Sequence, residues 1–298
     1  MSRIRQSREM EMVQRFYVMV EDWASGTELI RRAYNSPFSY CCIKMKLATW
    51  NVNSLKVRLP HVLKWLEENP VDILCLQELK TIDEKFPLAE IEAAGYHAVF
   101  SGQKTYNGVA ILSRHPMTDV VKNNPLFADE HQRIIAATIE GMRIICVYIP
   151  NGQSLDSDKF VYKMHWLKSL HEWVQAEIAR YPQLAILGDY NIAPEDRDVH
   201  DPAAWVGMTH VSEPERNAFR DLLRLNMKDA FRMFEQPEKL FSWWDYRQMG
   251  FRRNAGLRID HILLTQPLAE RCVACVIDKV PRKWEQPSDH APVIATLA

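Results

Sequence analysis

The 298-residue sequence contains no run near the ~18 consecutive apolar residues of a membrane-spanning helix, so no membrane association of that kind is expected. It also lacks an excess of either charge, since 37 lysines and arginines against 38 acidic residues leave a net charge of −1. Global charge therefore gives no argument for nucleic-acid binding, and only a local basic patch could supply one. With 47% hydrophobic residues the chain can form a sizeable core, and a disordered or collagen-like protein is not expected.

Cysteine is also scarce, with six residues in the whole chain, which is too few for a disulfide scaffold. Cys75 and Cys146 lie inside apolar runs, so we expect reduced, buried thiols and a cytoplasmic protein. Cys272 and Cys275 have the C-x-x-C spacing of some zinc sites, but the sequence offers no second pair and no nearby histidine cluster. This spacing alone does not favour zinc.

The first 44 residues show no coherent strand pattern. They do not form a secretory signal peptide either, because Arg15, Glu21 and Asp22 interrupt any apolar core. We expect residues 1–44 to be an N-terminal extension, poorly ordered or loosely helical. An organelle transit peptide is the alternative, although the acidic residues weaken it. Strand patterns begin at Met45, and residues 45–298 are predicted to form one catalytic domain.

From Met45 onward, short apolar runs alternate with amphipathic helices. The run at 72–76 is typical of a strand buried on both faces, and Glu140-Gly141 separates two β-rich runs as a hairpin turn would. Helical crossovers together with hairpins predict mixed sheets. The predicted strands are 46–52, 72–76, 108–113, 133–139, 142–149, 184–187, 257–264 and 292–297, with helices after Leu59 and over 160–178.

Acidic and amide residues recur where these strands begin or end, which is where open α/β sheets build their sites. Glu78 and Asp189 follow apolar strands, and His290 precedes the last one. Any one of them alone is more often a helix cap or a turn residue, but together these strand-end residues indicate a site. Oxygen donors without a cysteine or histidine cluster favour Mg²⁺ or Mn²⁺ over zinc.

Six segments carry a more specific pattern. In chain order they are Thr49-Trp50-Asn51-Val52-Asn53, Leu76-Gln77-Glu78, Tyr148-Ile149-Pro150-Asn151-Gly152, Gly188-Asp189-Tyr190-Asn191-Ile192-Ala193-Pro194, Gly256-Leu257-Arg258-Ile259-Asp260 and Pro287-Ser288-Asp289-His290-Ala291-Pro292. Together they resemble the exonuclease III / AP endonuclease family of the endonuclease/exonuclease/phosphatase superfamily, which is DNase I-like. The resemblance implies an α/β fold, a four-layer α/β sandwich with two mixed β-sheets packed face to face and helices on the outside.

The resemblance also implies roles for the polar residues. It makes Glu78 the principal metal ligand, with Asn51 beside it and Asp289 as an additional acidic residue near the metal. The metal would be Mg²⁺ or Mn²⁺. Because a phosphodiester is anionic, a cation near it would neutralise the charge that develops on its oxygens during hydrolysis.

For catalysis, the resemblance makes Asp189 the carboxylate that activates water, with Asn191 as its hydrogen-bonding neighbour. It makes His290 a charged imidazole that Asp260 orients. It also places Tyr148 and Asn151 near the scissile phosphate. A carboxylate beside His290 would raise the pKa of the imidazole and keep it protonated near neutral pH. Asp189 must be ionised to accept a proton from water, so positive neighbours would help it.

The substrate class depends on a segment of aromatic residues among arginines, which the resemblance identifies as a DNA-facing loop. The segment contains Trp243, Trp244, Tyr246 and Phe251 with Arg247, Arg252, Arg253 and Arg258, opposed by Asp245. This composition suits a loop pressed into a minor groove, with cations on phosphates and rings against sugars or a base. The alternative is a packed hydrophobic loop with solvated arginines.

His210 lies in the segment 205–219, which in the family helps to shape the pocket for a flipped abasic sugar. The sequence leaves two interpretations open, a residue of the substrate pocket or a surface histidine. If His210 and Met208 fill that pocket, the enzyme would favour trimming of 3′ ends over incision at internal abasic sites.

These observations predict a Mg²⁺-dependent DNA-repair phosphodiesterase. Its expected activities are 3′–5′ exonuclease, 3′-phosphatase and abasic-site endonuclease, on duplex DNA with a recessed 3′ end, a nick or an abasic site, and we expect a monomer. One alternative is a phosphatase or phosphodiesterase of the same superfamily that acts on inositol phosphates or lipid headgroups, which the aromatic and basic loop disfavours. Another is an inactive DNA-binding module, which would need a missing site residue, and none is missing.

Overall fold

The structure is a computed structural model that describes residues 44–298, so the predicted extension lies outside the described residues except for Lys44. The described part contains fourteen strands and five α-helices. The strands are β1 Met45–Asn51, β2 Ile73–Gln77, β3 His97–Ser101, β4 Val109–Ser113, β5 Thr118–Lys122, β6 Ile134–Ile139, β7 Met142–Tyr148, β8 Leu184–Asp189, β9 Met227–Asp229, β10 Trp243–Trp244, β11 Gly256–Leu257, β12 Asp260–Thr265, β13 Cys272–Ile277 and β14 Val293–Leu297. The helices are α1 Leu55–Glu68, α2 Leu88–Ala93, α3 Asp158–Arg180, α4 Glu213–Arg224 and α5 Gln266–Ala269.

Most strands belong to two six-stranded mixed sheets. The first has the order β13-β14-β1-β2-β4-β3, and the second has the order β5-β6-β7-β8-β12-β9. Each sheet contains one parallel pair, β1 with β2 and β7 with β8, while their other pairs are antiparallel. Each parallel pair is joined by a long helix, α1 in the first sheet and α3 in the second, because parallel neighbours need a crossover connection.

The two sheets pack face to face, and the long helices cover the outer faces. Between the sheets, Leu47 and Ile111 of the first sheet share one core with Ile144 and Leu187 of the second. The outer face of the first sheet packs on α1 and that of the second on α3. This arrangement is the predicted four-layer sandwich.

Helix α3 shows how the sequence specifies one of these layers. Ser157 caps its first turn, with the hydroxyl oxygen accepting a hydrogen bond from the backbone N–H of Phe160 at 3.1 Å. Trp166, Leu170 and Val174 recur at four-residue spacing and are buried against the second sheet. Within residues 44–298, no helix is long and apolar enough to cross a membrane.

Candidate active site

The polar residues predicted at the strand ends meet at one edge of the sandwich. Asn51 ends β1 and Glu78 follows β2 in the first sheet, while Tyr148 and Asp189 end β7 and β8 in the second. Asp260 pairs with Asp189 in the antiparallel β8–β12 ladder. Parallel strands end side by side, and an antiparallel neighbour begins where they end, so both sheets contribute to this edge.

Asn51 connects the two sheets at this edge. Its amide nitrogen donates to Glu78 Oε1 and to Asp189 Oδ2, both at 2.9 Å. Its amide oxygen accepts the backbone N–H of Asn53 at 2.9 Å and is therefore turned away from the carboxylates. Asn51 orients the two acids, and its role as a metal ligand remains a prediction.

Glu78 is held by two further side chains. The Tyr148 hydroxyl donates to Glu78 Oε1 at 3.0 Å, and Lys80 Nζ lies 2.8 Å from Oε2. The pKa of Tyr148 is raised well above its usual range, first by burial and then by the charge of Glu78. The Tyr148 hydroxyl therefore keeps its proton and remains a hydrogen-bond donor.

His290 and Asp260 form a buried charged pair. His290 Nδ1 lies 2.9 Å from Asp260 Oδ2, and Nε2 lies 3.7 Å from Asp189 Oδ2. Burial alone would lower the pKa of His290, but the Asp260 carboxylate, followed by that of Asp189, raises it to about 10. The imidazole is therefore positively charged at neutral pH, as predicted from the adjacent carboxylate.

Asp189 occupies the centre of the site. Burial raises the pKa of its carboxyl to about 7, the charge of His290 opposes the rise, and Asp260 adds to it. The backbone N–H of Asn191 donates to Asp189 Oδ1 at 2.9 Å, which leaves Oδ2 facing Asn51 and His290. A carboxylate with this pKa can take up a proton near neutral pH, as a general base must.

Asn191 and Asn151 complete the polar surface beside Asp189. Asn191 donates from its side-chain nitrogen to the Ile149 carbonyl at 3.0 Å, and its side-chain oxygen accepts from Asn151 Nδ2 at 3.3 Å. Asn191 itself adopts a φ of 50°, in the left-handed region that asparagine tolerates better than most residues. The loop after β7 and the turn after β8 therefore bring these two amides together beside the Asp189 carboxylate.

The donor set fits a divalent metal ion. Among the described residues, Glu78, Asp189 and His290 offer ligand atoms that all lie within 4.8 Å of one another. His290 is charged and donates from Nδ1 to Asp260, so the oxygen atoms of Glu78 and Asp189 are the available ligands. The negative charge here already attracts one cationic side chain, because the Lys80 ammonium contacts both Glu78 and Asn53.

Asp289 does not belong to this cluster. Its carboxylate accepts from Asn53 Nδ2 at 2.9 Å and from the Trp243 indole at 3.0 Å. Burial raises the pKa of Asp289, but the charge of His290 and these hydrogen bonds more than offset it, so the net pKa is lowered. Asp289 is thus an ionised residue at the rim, and its role near a metal remains a prediction.

The model of the Endonuclease/Exonuclease/phosphatase family matches residues 48–290. The chain belongs to this family. The family is one of metal-dependent nucleases, in agreement with the cluster of acidic groups. Exodeoxyribonuclease III of Haemophilus influenzae is 37% identical over 265 residues, which cover 84% of this chain and 99% of that protein.

Two solved structures support the same assignment. The 3′ phosphatase NExo from Neisseria, bound to a product DNA hairpin, is 48% identical with a TM-score of 0.84, covering 85% of this chain and 99% of that one. An AP endonuclease from Archaeoglobus fulgidus is 42% identical with a TM-score of 0.82, at 85% and 99% coverage. The predicted family resemblance and the predicted fold are both confirmed.

In this member of the Endonuclease/Exonuclease/phosphatase family, the loop predicted to face DNA is partly an internal core. Trp244 is fully buried, packs edge-on against Phe251 with ring centroids 5.0 Å apart, and donates from its indole to Asn254. The prediction that Trp244 contacts DNA is wrong, because its side chain does not reach the surface. Trp243 is half-buried beside Asp289 and remains a candidate for DNA contact.

The arginines of the same loop have different surroundings. Arg258 is buried and paired with Asp198 at 2.7 Å and Asp229 at 2.8 Å, so grouping it with the DNA-facing cations is wrong. Arg247 is exposed but paired with Asp245 at 2.6 Å. The exposed Arg252 and Arg253 remain candidates for phosphate contacts.

His210 is a buried residue, so its interpretation as a surface histidine is wrong. Its Nε2 lies 3.2 Å from Asn151 Nδ2 and its Nδ1 lies 2.9 Å from Thr209 Oγ1. Burial, followed by the charge of Lys163, lowers the pKa of His210 to about 3. The imidazole is therefore neutral, and since Asn151 Nδ2 can only donate, Nε2 is the acceptor.

A cleft of about 730 Å³ opens beside Glu78 and Tyr148. It contains basic residues that sequence reasoning missed, namely Lys80, Arg133 and Lys159. Arg133 lies 4.9 Å from the centroid of the Tyr148 ring and donates to the Tyr148 carbonyl. Lys80 could have been predicted from the sequence, because it lies two residues after Glu78. Arg133 and Lys159 could not, because only the fold brings them to this cleft.

Proposed function

We propose that the chain is a Mg²⁺-dependent DNA-repair phosphodiesterase of exonuclease III type, with Mn²⁺ as the second metal option. The proposal rests on one observation, the convergence of Glu78, Asp189 and a charged His290 within 4.8 Å. Hard oxygen donors favour these two ions. Bound by Glu78, the ion would supply positive charge beside the phosphate and lower the pKa of a nearby water, while Asp189 stays free to take up a proton.

The residues of the chain divide the work of hydrolysis. Asp189 takes a proton from the attacking water, while the Asn191 backbone fixes the other oxygen of its carboxylate. His290 stabilises the negative charge that develops on the phosphate oxygens, because Asp260 keeps it protonated. Tyr148 keeps its hydroxyl proton because its pKa is raised, and it can donate to the same phosphate when that proton turns away from Glu78.

We propose further that the enzyme favours 3′ ends over internal abasic sites. His210 supports this preference, because its buried imidazole lies between Asn151 and the ring of Trp205, whose centroid is 6.0 Å away. In the family this region shapes the pocket for a flipped abasic sugar, so we propose that a side chain fixed here takes up room that the sugar would need. The similar Neisseria protein bound to a product hairpin is named a 3′ phosphatase, which agrees with this preference.

Duplex DNA is the proposed substrate, contacted by Trp243 and by the exposed Arg252 and Arg253. The basic cleft of about 730 Å³ on the other side of Glu78 would accept more of the DNA backbone. We propose a monomer in the cytoplasm. The thiols of Cys75 and Cys146 are free and buried, which agrees with a reducing compartment.

The test is to supply the full chain with labelled duplexes that carry a recessed 3′ end, a 3′-phosphate or an internal abasic analogue. We expect Mg²⁺-dependent release at both kinds of 3′ end, no turnover in EDTA, and at least about tenfold slower cutting at the abasic analogue. Sphingomyelin and inositol phosphates serve as control substrates. Turnover of these compounds without turnover of DNA would overturn the proposal.

A further inference from the structure

Lys163 is a fully buried cation behind the active site, and the mechanism above does not use it. It lies on α3, and its ammonium donates to the Asn191 carbonyl at 2.8 Å and the Asn151 carbonyl at 3.2 Å. The third acceptor is Glu215 Oε1 at 2.5 Å. An ammonium has three N–H donors, so each donor has one acceptor and the group is fully satisfied.

The two carbonyls belong to Asn151, which the family resemblance places near the scissile phosphate, and to Asn191, whose backbone N–H holds Asp189. Asn151 lies on the loop after β7, and Asn191 lies on the loop after β8. Gly152 lets the Lys163 chain pass beside the first loop, because a Cβ on Gly152 would lie 3.1 Å from Lys163 Cδ. The lysine therefore ties both substrate-facing loops to one rigid helix.

Glu215 extends the same connection to a third segment. Its Oε1 accepts the backbone N–H of His210 at 2.9 Å, and its Oε2 accepts the backbone N–H of Ser212 at 3.1 Å. The His210 carbonyl in turn accepts the Ala193 N–H at 2.7 Å. One buried ion pair thus fixes the three segments that carry Asn151, Asn191 and His210.

Stability alone does not explain a lysine in this position. Burying an ion pair costs desolvation energy, and well-packed apolar residues often stabilise a fold equally well. What an apolar residue cannot supply is the two hydrogen bonds that fix the direction of the two carbonyl groups, together with a third to Glu215. Because each carbonyl is in the backbone of Asn151 or Asn191, fixing it restricts the backbone from which the side-chain amide projects.

We propose that Lys163 is a positioning residue that acts through the backbone of Asn151 and Asn191 to hold their side chains against the reacting phosphate. The inference rests on the proposed function of those two amides. Lys163 has no exposed side-chain surface and does not contact DNA itself. Its loss should therefore lower kcat and leave the affinity for DNA almost unchanged.

The test compares two variants that each remove a buried cation. Lys163→Met leaves Glu215 without a cationic partner. Arg143→Met removes the close cation from Glu177, which Arg143 binds at 2.5 Å far from the strand-end site, although Glu177 keeps a contact of 3.8 Å with Arg180. We expect both variants to unfold at lower urea concentration. Only Lys163→Met should lower kcat on a recessed 3′ end, by about 10- to 100-fold, since small displacements at a reacting centre have effects of that size. Its KM should stay within about twofold of the wild-type value.

A second variant protects the test against poor folding of Lys163→Met. In Lys163→Met/Glu215→Gln no charge is left at this pair, and the glutamine oxygen can still accept the Ser212 N–H at the start of α4. The same loss of kcat is expected there, and it should not add to the effect of Asn151→Ala, because both changes disturb one amide. If the wild type is active and either Lys163→Met or the double variant has a normal kcat, the positioning role is overturned. If the wild type itself is inactive on DNA, the proposed function is overturned.

Discussion

His290 Nδ1 contacts both oxygens of the Asp260 carboxylate, at 2.9 and 3.1 Å, and both side chains are buried. On its other side the imidazole faces Asp189 Oδ2 at 3.7 Å. The charge on His290 therefore depends on the carboxylates of both Asp260 and Asp189, and a change to either residue should alter it.

Asp260→Asn should lower the pKa of His290, because the carboxylate that contributes most to raising it is removed while burial continues to lower it. Since catalysis needs the protonated imidazole, the alkaline limb of kcat/KM against pH should move to lower pH by at least about one unit. The wild-type limb is expected near the His290 pKa of about 10. An alkaline limb that does not move would show that His290 does not act as a cation.

Asp189→Asn should abolish the proton transfer from water but preserve the fold. The amide has the shape of the carboxylate and keeps one oxygen for the Asn191 N–H. We expect kcat to fall about 10²- to 10⁴-fold, measured on a recessed 3′ end with Mg²⁺. The circular dichroism spectrum should match that of the wild type. Normal turnover by this variant would remove Asp189 from the mechanism.

His210→Ala should make room beside Asn151 and Trp205. We expect the ratio of abasic-site incision to 3′-phosphate release to rise at least about tenfold, because the pocket then admits a flipped sugar. His165→Ala, which changes an exposed histidine of α3, is the matched control and should leave the ratio unchanged. A His210→Ala ratio equal to that of the control would contradict the idea of a filled pocket.

Arg252→Ala/Arg253→Ala should weaken DNA binding mainly through electrostatics. If each arginine contacts one phosphate, the slope of log Kd against log salt should decrease by about 2, measured by fluorescence anisotropy in EDTA. Arg247→Ala is the control, because Arg247 is already paired with Asp245 and should change the slope less. Equal slopes for the double variant and the wild type would place the DNA elsewhere.

Arg258→Met should destabilise the fold, because it leaves two buried carboxylates, Asp198 and Asp229, without their shared cation. We expect the free energy of unfolding to fall by about 3–5 kcal/mol, measured by urea denaturation. Salt dependence of DNA binding by the folded variant should stay unchanged. A loss below about 1 kcal/mol would argue against Arg258 as a structural residue.

Apolar patterning predicted the central strands well, because burial on both faces leaves a clear signal in the sequence. The hairpin at Glu140 and Gly141 was also predictable, because glycine is common in such turns. In the structure both residues have positive φ values, 49° and 76°, and Ile139 pairs with Met142. The edge strands β3 and β5 were missed, because β5 is largely exposed and β3 is only partly buried, so neither carries a clear apolar pattern. The predicted strand 257–264 is wrong as one element, since the Ser242 hydroxyl accepts from both Ile259 and Asp260 and separates β11 from β12.

Family motifs predicted the catalytic centre, since each motif lies at the end of a predictable strand. They could not distinguish Trp244 and Arg258 inside the loop from Arg252 and Arg253 outside it, because composition does not indicate depth. The partners that decide depth are distant in the sequence, as with Arg258 and Asp198, which are 60 residues apart. Lys163 was missed for the same reason, as its acceptor Glu215 lies 52 residues away.

The hydrogen bonds of Asn51 to acids from both sheets have a biological consequence. Glu78 belongs to one sheet and Asp189 to the other, so neither half of the sandwich contains a working set of groups. A molecule whose two sheets have not docked would not bring these groups together, even with its strands and helices formed. The ability to hydrolyse DNA thus depends on the completed tertiary structure.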